Sequence, residues 1–160
     1  MGKALLKLKP NYILIPLLVI ITGSAASYFA ESGRQWNKTL NIPGWVIPGS
    51  YTDLVWVIIF ILSSISVLII WNNYSLQKNF KLIIGLFIIN AVIHVGWNIF
   101  FFGNQQLGLA VFQAILMISA AATLVTLIWK FCPLAATCLL PYSVWVLFST
   151  ILTINVWLIN

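Results

Sequence analysis

The sequence has very few charged side chains and almost no acidic ones. Only 6% of the 160 residues are charged, and Glu31 and Asp53 are the two acids. A soluble domain carries about a quarter charged residues, so this chain has too few to cover its surface in water. Apolar residues make up 62% of it, and the mean hydropathy is +1.05. The chain is therefore predicted to lie in a bilayer.

The same scarcity excludes several kinds of site. Cys132 and Cys138 lack the C-x-x-C spacing of metal and redox motifs, and we interpret both as small apolar residues. Asp53 lies at the rim of an apolar run and no carboxylate lies deeper, which argues against an ion pump or a voltage sensor. The eight Lys and Arg residues are too scattered for a nucleic-acid surface. We predict no metal site, no cofactor, no nucleic-acid partner and no conventional catalytic constellation.

Five long apolar runs dominate the chain, each near the ~20 residues that a transmembrane helix needs. Strands are disfavoured because no apolar–polar alternation appears and an open sheet edge is not viable in lipid. We predict an all-α integral membrane bundle of five transmembrane helices, one domain over residues 1–160, with residues 31–50 as a long loop. The predicted helices cover residues 12–30, 51–71, 80–102, 106–130 and 134–159.

The first run has an alternative interpretation as a secretory signal peptide. Three lysines precede it, and the stretch "TGSAAS" resembles a small-residue cleavage site. Against this interpretation, the run continues through Tyr28 and Phe29 to a length that spans a bilayer.

The cations are distributed unequally between the two ends of a five-helix layout. Arg34 and Lys38 lie on one side, and six lysines lie on the other. The positive-inside rule then places the N-terminus in the cytoplasm and the C-terminus outside, with the long loop on the outer side. The six lysines are Lys3, Lys7, Lys9, Lys78, Lys81 and Lys130.

Three of the eight tryptophans lie inside the apolar runs. Trp56 and Trp97 are each five residues from the outer ends of their runs, which is roughly 7–8 Å deep at 1.5 Å per residue. Trp145 lies deeper in the last run. These side chains either line a cavity or fill the bundle as large aromatics. The tryptophans near run ends are interpreted as interfacial anchors: Trp71, Trp129 and Trp157.

Polar side chains occur at a similar depth. His94 and Gln113 are each about eight residues from the outer ends of their runs, roughly 12 Å down. Ser149 lies one turn from Trp145 on the same helix face. These groups either line a cavity that opens outward beneath the long loop, or hydrogen bond to each other and hold the helices together.

Small residues four apart suggest close helix contacts. Gly23 and Ser27 form one such pair, and Ala110 and Ala114 form another. This spacing lets helices approach closely, either between two copies of the chain or within one bundle.

The stretch "IPGWVIPGSYTDLVW", residues 42–56, places prolines and tryptophans just before the second run. With the residues before it, the stretch resembles the signature of the translocator protein family, also called tryptophan-rich sensory proteins or peripheral benzodiazepine receptors. That signature is roughly W-Y-x-x-L-x-x-P-x-W-x-P-P followed by a further Trp. The resemblance continues in "FFGNQQLGLA", "AAATLVTLIWKFCPLAA" and "LLPYSVWVLFSTIL" and covers nearly the whole chain. The matching positions are Trp36, Asn37, Leu40, Pro43, Trp45, Ile47, Pro48 and Trp56.

The resemblance implies a five-helix bundle, often a homodimer, whose apolar pocket is closed by the first loop. Family members bind porphyrins, and some bind sterols and isoquinoline-type synthetic ligands. We therefore expect a membrane receptor for protoporphyrin or a haem-like tetrapyrrole, with transport as a further expectation. No sterol site is expected, because no Lys or Arg follows Lys130.

Two other functions remain open. One is a light-dependent, oxidative, porphyrin-degrading enzyme in which Trp56 and Trp145 would be the catalytic residues, as some bacterial relatives imply. The other is a small structural membrane protein whose tryptophans only pack.

The resemblance also implies which residues contact the ligand. Trp56 and Trp145 match cavity tryptophans, and Trp97 matches a further aromatic wall position. His94 falls where the family usually has Asn, and Gln113 falls where it usually has Asp. The expected ligand-binding residues are Trp45, Ile47, Trp56, His94, Trp97, Leu109, Gln113, Trp145 and Ser149.

The lysine asymmetry makes a testable prediction about topology. Reporter fusions at the two ends of the chain should give opposite signals, because five spans place the termini on opposite sides. The same signal at both ends would indicate an even number of spans, most simply through loss of the first run as a signal peptide.

Overall fold

A computed structural model describes residues 9–47 and 49–160. Lys3 and Lys7, used in the orientation argument, lie outside these ranges, as does Pro48 of the loop motif.

Five helices in the described ranges are long and apolar enough to cross a bilayer, and no strand is present there. This confirms the prediction of an all-α bundle with five transmembrane helices. A short helix lies in the outer loop, and a π-helical turn extends the third long helix. The elements are α1 (Asn11–Ser32), α2 (Arg34–Asn37), α3 (Gly49–Asn73), α4 (Phe80–Asn98), the π turn (Ile99–Gly103), α5 (Leu107–Trp129) and α6 (Pro133–Ile159).

Prolines and the π turn shape the helices locally. Pro16 and Pro141 lie inside α1 and α6 without ending them, as neighbouring helices allow in a membrane bundle. The run predicted as a single helix over residues 80–102 instead changes pitch after Asn98. There the Asn104 N–H donates to the Ile99 carbonyl at 2.7 Å, and the chain reverses at Gln105, whose φ is 58°.

The five long helices form a closed ring. Helix α1 packs against α3 and α4, α3 packs against α6, and α5 packs between α4 and α6. The order around the bundle is therefore α1, α3, α6, α5 and α4. At the inner end the ring is filled by side chains such as Ile70, Ile83 and Leu124, each at most 1% exposed.

Three of the four small residues singled out in the sequence lie at contacts between helices of this ring. Ala110 and Ala114 are buried, at 0% and 1% exposure, and lie in the helix that packs most extensively on α6. A Cβ added to Gly23 would lie 3.0 Å from Phe60 of α3, so this glycine lets α1 approach α3. The homodimer thus stays a prediction that follows from the resemblance.

The outer loop is more helical than predicted. Helix α1 continues to Ser32, and α2 follows after Gly33. An ion pair joins Glu31 to Arg34, and the Asn37 N–H donates to the Gly33 carbonyl at 2.9 Å. The backbone bond satisfies groups that would otherwise be free in a loop, and the ion pair joins the end of α1 to the start of α2.

Gly33 holds this loop against the π turn. It is buried, and a Cβ added there would lie 2.5 Å from the Phe102 carbonyl oxygen and 2.8 Å from the Phe102 Cα. Both atoms belong to the backbone, so the clash cannot be relieved by rotating a side chain.

We therefore predict that Gly33→Ala lowers the thermal stability of the purified protein and loosens the loop, because the loop must separate from the π turn. Gly44→Ala is the matched control, since nothing lies within 4 Å of its added Cβ. Unfolding in detergent, together with hydrogen exchange of residues 33–47, would measure both effects. Equal stability of the two variants would contradict the packing described for Gly33.

Candidate functional site

A cavity of about 1710 Å³ lies in the bundle beneath the outer loop. Its described walls come from α1, α3, α4, α6 and the loop, while α5 contributes no lining residue. Ligand pockets commonly measure ~300–1,000 Å³, so this cavity has room for a large ligand. It runs between α1 and α3 from Pro16 and Leu68 at its inner end to Lys38 and Asp53 at its mouth.

One wall of the cavity is a continuous aromatic surface contributed by α3, α4 and α6. The Trp56 ring lies 4.5 Å from the His94 ring and 6.4 Å from the Trp145 ring, centroid to centroid. The two indoles are nearly perpendicular, at 87°. Phe60 and Phe148 extend the surface, at 5.6 Å from His94 and 5.3 Å from Trp145. We call these five residues the aromatic wall.

A second aromatic group lies toward the mouth of the cavity. Trp97 stacks on Phe101 with ring centroids 5.0 Å apart and an angle of 22° between the planes. Trp36 of α2 meets Phe101 edge-on at 5.8 Å. This group links α4 and the π turn to the outer loop.

The outer loop forms a lid that is attached to α6 at two points. Trp45 packs edge-on against Phe148 of the aromatic wall at 5.5 Å. The Asn41 N–H donates to Asn160 Oδ1 at 2.9 Å, and Asn160 Nδ2 donates to the Asn41 carbonyl at 3.0 Å. The lid is therefore held by a mixture of aromatic and polar contacts at the mouth.

Several polar atoms in and beside the cavity are buried without a hydrogen-bond partner among the described residues. Three belong to residues that line it: His94 Nδ1, Trp97 Nε1 and Trp145 Nε1. Buried polar groups in proteins are nearly always hydrogen bonded to protein or water. These atoms leave unused hydrogen-bonding capacity in the side chains that surround the cavity.

The mouth of the cavity carries the charges. Lys38 and Asp53 line it together with the Glu31–Arg34 ion pair. The deeper walls are aromatic, aliphatic or small and polar. A ligand with an apolar body and a charged edge matches this distribution.

The structure brings together six of the nine residues predicted to contact a ligand. They line the cavity from four elements. Trp45 is not one of the lining residues; it packs on Phe148 from the lid and is 47% exposed. The six lining residues are Ile47, Trp56, His94, Trp97, Trp145 and Ser149.

Leu109 and Gln113 are not brought to the cavity. Both lie on α5, which packs behind α4 and α6. Leu109 is 46% exposed on the outer surface of the bundle. Gln113 lies against Gly96, where an added Cβ would be 3.4 Å from Gln113 Nε2. No hydrogen bond joins Gln113 to His94 in the described structure, and Gln113 Oε1 is buried without a partner.

Sequence reasoning missed two members of the aromatic wall. Phe60 follows Trp56 by one helical turn, and Phe148 follows Trp145 by three positions. Residues three and four apart share a helix face, so this periodicity was a usable signal. Asn98 also lines the cavity, and its Nδ2 donates to the His94 carbonyl at 2.9 Å.

The model of the TspO/MBR family matches residues 12–158. The chain belongs to the TspO/MBR family. Membership supports a membrane-associated binding or transport role.

Relatives from distant organisms are similar over most of the chain. The Tryptophan-rich protein TspO of Bacillus cereus is 28% identical over 153 residues, which cover 96% of this chain and 99% of that protein. The Translocator protein of Homo sapiens is 28% identical over 149 residues, covering 92% and 86%. The Tryptophan-rich protein TspO of Archaeoglobus fulgidus is 28% identical over 145 residues, covering 90% and 93%.

Proposed function

We propose that this TspO/MBR family protein is a membrane receptor that binds porphyrins and similar flat, apolar tetrapyrroles in the cavity beneath the lid. The observation that carries the proposal is the aromatic wall, in which Trp56 and Trp145 stand perpendicular to each other on one side of a large cavity. Both indoles line this cavity, and their planes are nearly perpendicular. In the proposed complex a flat ring stacks on one indole and meets the other edge-on, both of which are favourable aromatic geometries.

The size and charge of the cavity support the same ligand class. A tetrapyrrole macrocycle is larger than a drug-sized molecule, and about 1710 Å³ accommodates it. Porphyrins such as protoporphyrin carry carboxylates along one edge of an apolar ring. With that edge at the mouth, the carboxylates would lie near Lys38 and Arg34, and the apolar ring would lie against the aromatic wall.

Family membership supports a role in binding or transport, and the name Translocator protein of the human relative is consistent with movement of a ligand. We propose that the lid lies on the outer side of the membrane and the N-terminus in the cytoplasm. The described cations agree, because Lys9, Lys78, Lys81 and Lys130 lie at the end of the bundle opposite to the lid. A homodimer and binding of isoquinoline-type ligands are further predictions from the resemblance.

The aromatic wall predicts a loss of affinity when either indole is removed. Stacking of a flat base on an aromatic side chain contributes ~1–3 kcal/mol, so Trp56→Ala or Trp145→Ala should weaken binding of free-base protoporphyrin by roughly tenfold or more. Trp56→Phe and Trp145→Phe should cost less, because the ring face remains. Binding should be followed by the absorbance of the porphyrin, so that removing a tryptophan does not change the readout.

Trp129→Ala is the matched control, since Trp129 is 49% exposed and lies outside the cavity. Unchanged affinity in both wall variants would contradict the proposed site. If all tryptophan variants, the control included, lost affinity equally, the porphyrin would be partitioning onto the protein surface instead of entering the cavity.

The same mixture, compared in light and in darkness, separates receptor from enzyme. The proposal predicts a stable porphyrin spectrum in both conditions. Conversion to an open-chain tetrapyrrole spectrum in light and dioxygen, lost in the Trp56 and Trp145 variants, would instead favour the oxidative, porphyrin-degrading alternative.

A further inference from the structure

We propose that His94 is an axial ligand for the metal of a metallated tetrapyrrole, so that the cavity binds a haem-type ring more tightly than the metal-free ring. The inference rests on the proposed function, because it concerns the same cavity and names the subclass of ligand that the cavity prefers.

The position of His94 is the first support. It is the one histidine in the chain, and it lines the cavity while being only 5% exposed. Trp56 and Phe60 flank its ring at 4.5 and 5.6 Å. The imidazole thus lies inside the surface on which a flat ring is proposed to stack.

The hydrogen bonding of His94 is the second support. Its Nδ1 is buried and has no partner among the described residues. The sequence raised the possibility that Gln113 of α5 hydrogen bonds to this imidazole and so joins α5 to α4. No such bond is present among the described residues, and Gln113 Oε1 has no partner. The alternative raised by the sequence, in which these two residues only join helices, is therefore not what the structure shows. Nε2 of the same ring makes no hydrogen bond in the described structure and is not among the enclosed, unpartnered atoms, so it is the nitrogen that a ligand in the cavity can reach.

The turn of α4 that carries the imidazole has an additional hydrogen bond. Asn98 Nδ2 donates to the His94 carbonyl at 2.9 Å, which adds a second bond to the turn of α4 that carries the imidazole. The π turn begins directly after Asn98. Such turns occur often at functional sites, and here the turn places Phe101 against Trp97 at the mouth.

The chemistry of ligation requires no other component. Nε2 of a neutral imidazole donates its lone pair to the iron while the proton stays on Nδ1. The iron exchanges a bound water or hydroxide for this nitrogen, and no electron is transferred. Cys, Met and Tyr, the other side chains that commonly ligate haem iron, are not found among the described residues that line the cavity. Lys38 is the remaining nitrogen base, and it lies at the mouth.

The experiment compares two titrations of the same purified protein, one with ferric protoporphyrin (haemin) and one with free-base protoporphyrin. We expect wild type to give a haemin Soret band typical of histidine ligation. His94→Ala should lose that band shape and weaken haemin binding by at least about tenfold, since even an outer-shell change at a metal site costs ~10–100-fold. Free-base affinity should fall much less than haemin affinity, because the ring still stacks on Trp56 and Trp145 and loses only the contact with the imidazole.

Three further measurements separate ligation from packing. His94→Gln keeps a polar side chain of similar size but does not ligate iron, so it should also lose the histidine-type Soret band and bind haemin more weakly. It keeps the test available if the alanine variant fails to fold. His94→Met should give a third Soret spectrum, because a thioether replaces the imidazole. Free imidazole added to His94→Ala should restore a spectrum like that of wild type.

Each outcome has one meaning. Identical haemin spectra in wild type, His94→Ala and His94→Gln, with free-base protoporphyrin still bound, would overturn the ligation and leave the receptor function standing. Equal loss of both ligands in His94→Gln would make His94 a packing residue and also overturn the inference. Failure of wild type to bind either ring would overturn the proposed function itself.

Discussion

The close packing of α5 on α6 is the constraint on which the rest of the molecule depends. Alanines lie at the contact and are almost completely buried, among them Ala110, Ala114 and Ala136. Small side chains let membrane helices approach until their backbones nearly touch. With α5 and α6 fixed in this way, α4 and α3 pack on their flanks, and α1 completes the ring from the far side. Helix α1 buries little of its surface, with 11% of its most apolar stretch inside the bundle.

The cavity is a consequence of this uneven packing. The inner end is filled mainly by aliphatic side chains, whereas toward the lid the bundle encloses the cavity, which is lined by aromatic rings. Aromatic side chains there meet each other edge-on or tilted, at 4.5–6.4 Å for the pairs around Trp56. The lid then covers the opening through Trp45 on Phe148 and the paired bonds between Asn41 and Asn160. The packed inner end closes the cavity from below and the lid covers it from above. Polar atoms of His94 and Trp145 are buried beside this space, which is large enough for a ligand.

The fold was predictable because bilayer length and apolar composition leave few alternatives. Part of the cavity lining was also expected from the sequence, since Trp56, His94 and Trp145 combine depth in a span with a polar or aromatic group. Leu109 and Gln113 were expected as ligand contacts from the resemblance, and Gln113 also from its depth, but the cavity lining does not include them. A membrane helix such as α5 is apolar on all sides, so periodicity does not show which face points inward. Depth therefore predicted that Gln113 lies level with His94 but not which way its side chain faces, and in the structure the side chain lies against Gly96. The π turn was likewise not predicted, because it depends on a tertiary fit against Gly33 and on backbone bonds such as the one from the Asn104 N–H to the Ile99 carbonyl.

The proposed function requires a flat ligand in the cavity against the aromatic wall. A structure of the protein solved with free-base protoporphyrin would show directly where the ring binds. We expect the ring beneath the lid, in contact with both Trp56 and Trp145, with its carboxylates toward Lys38. A ring bound to the lipid-facing surface of the helices, touching neither tryptophan, would contradict it.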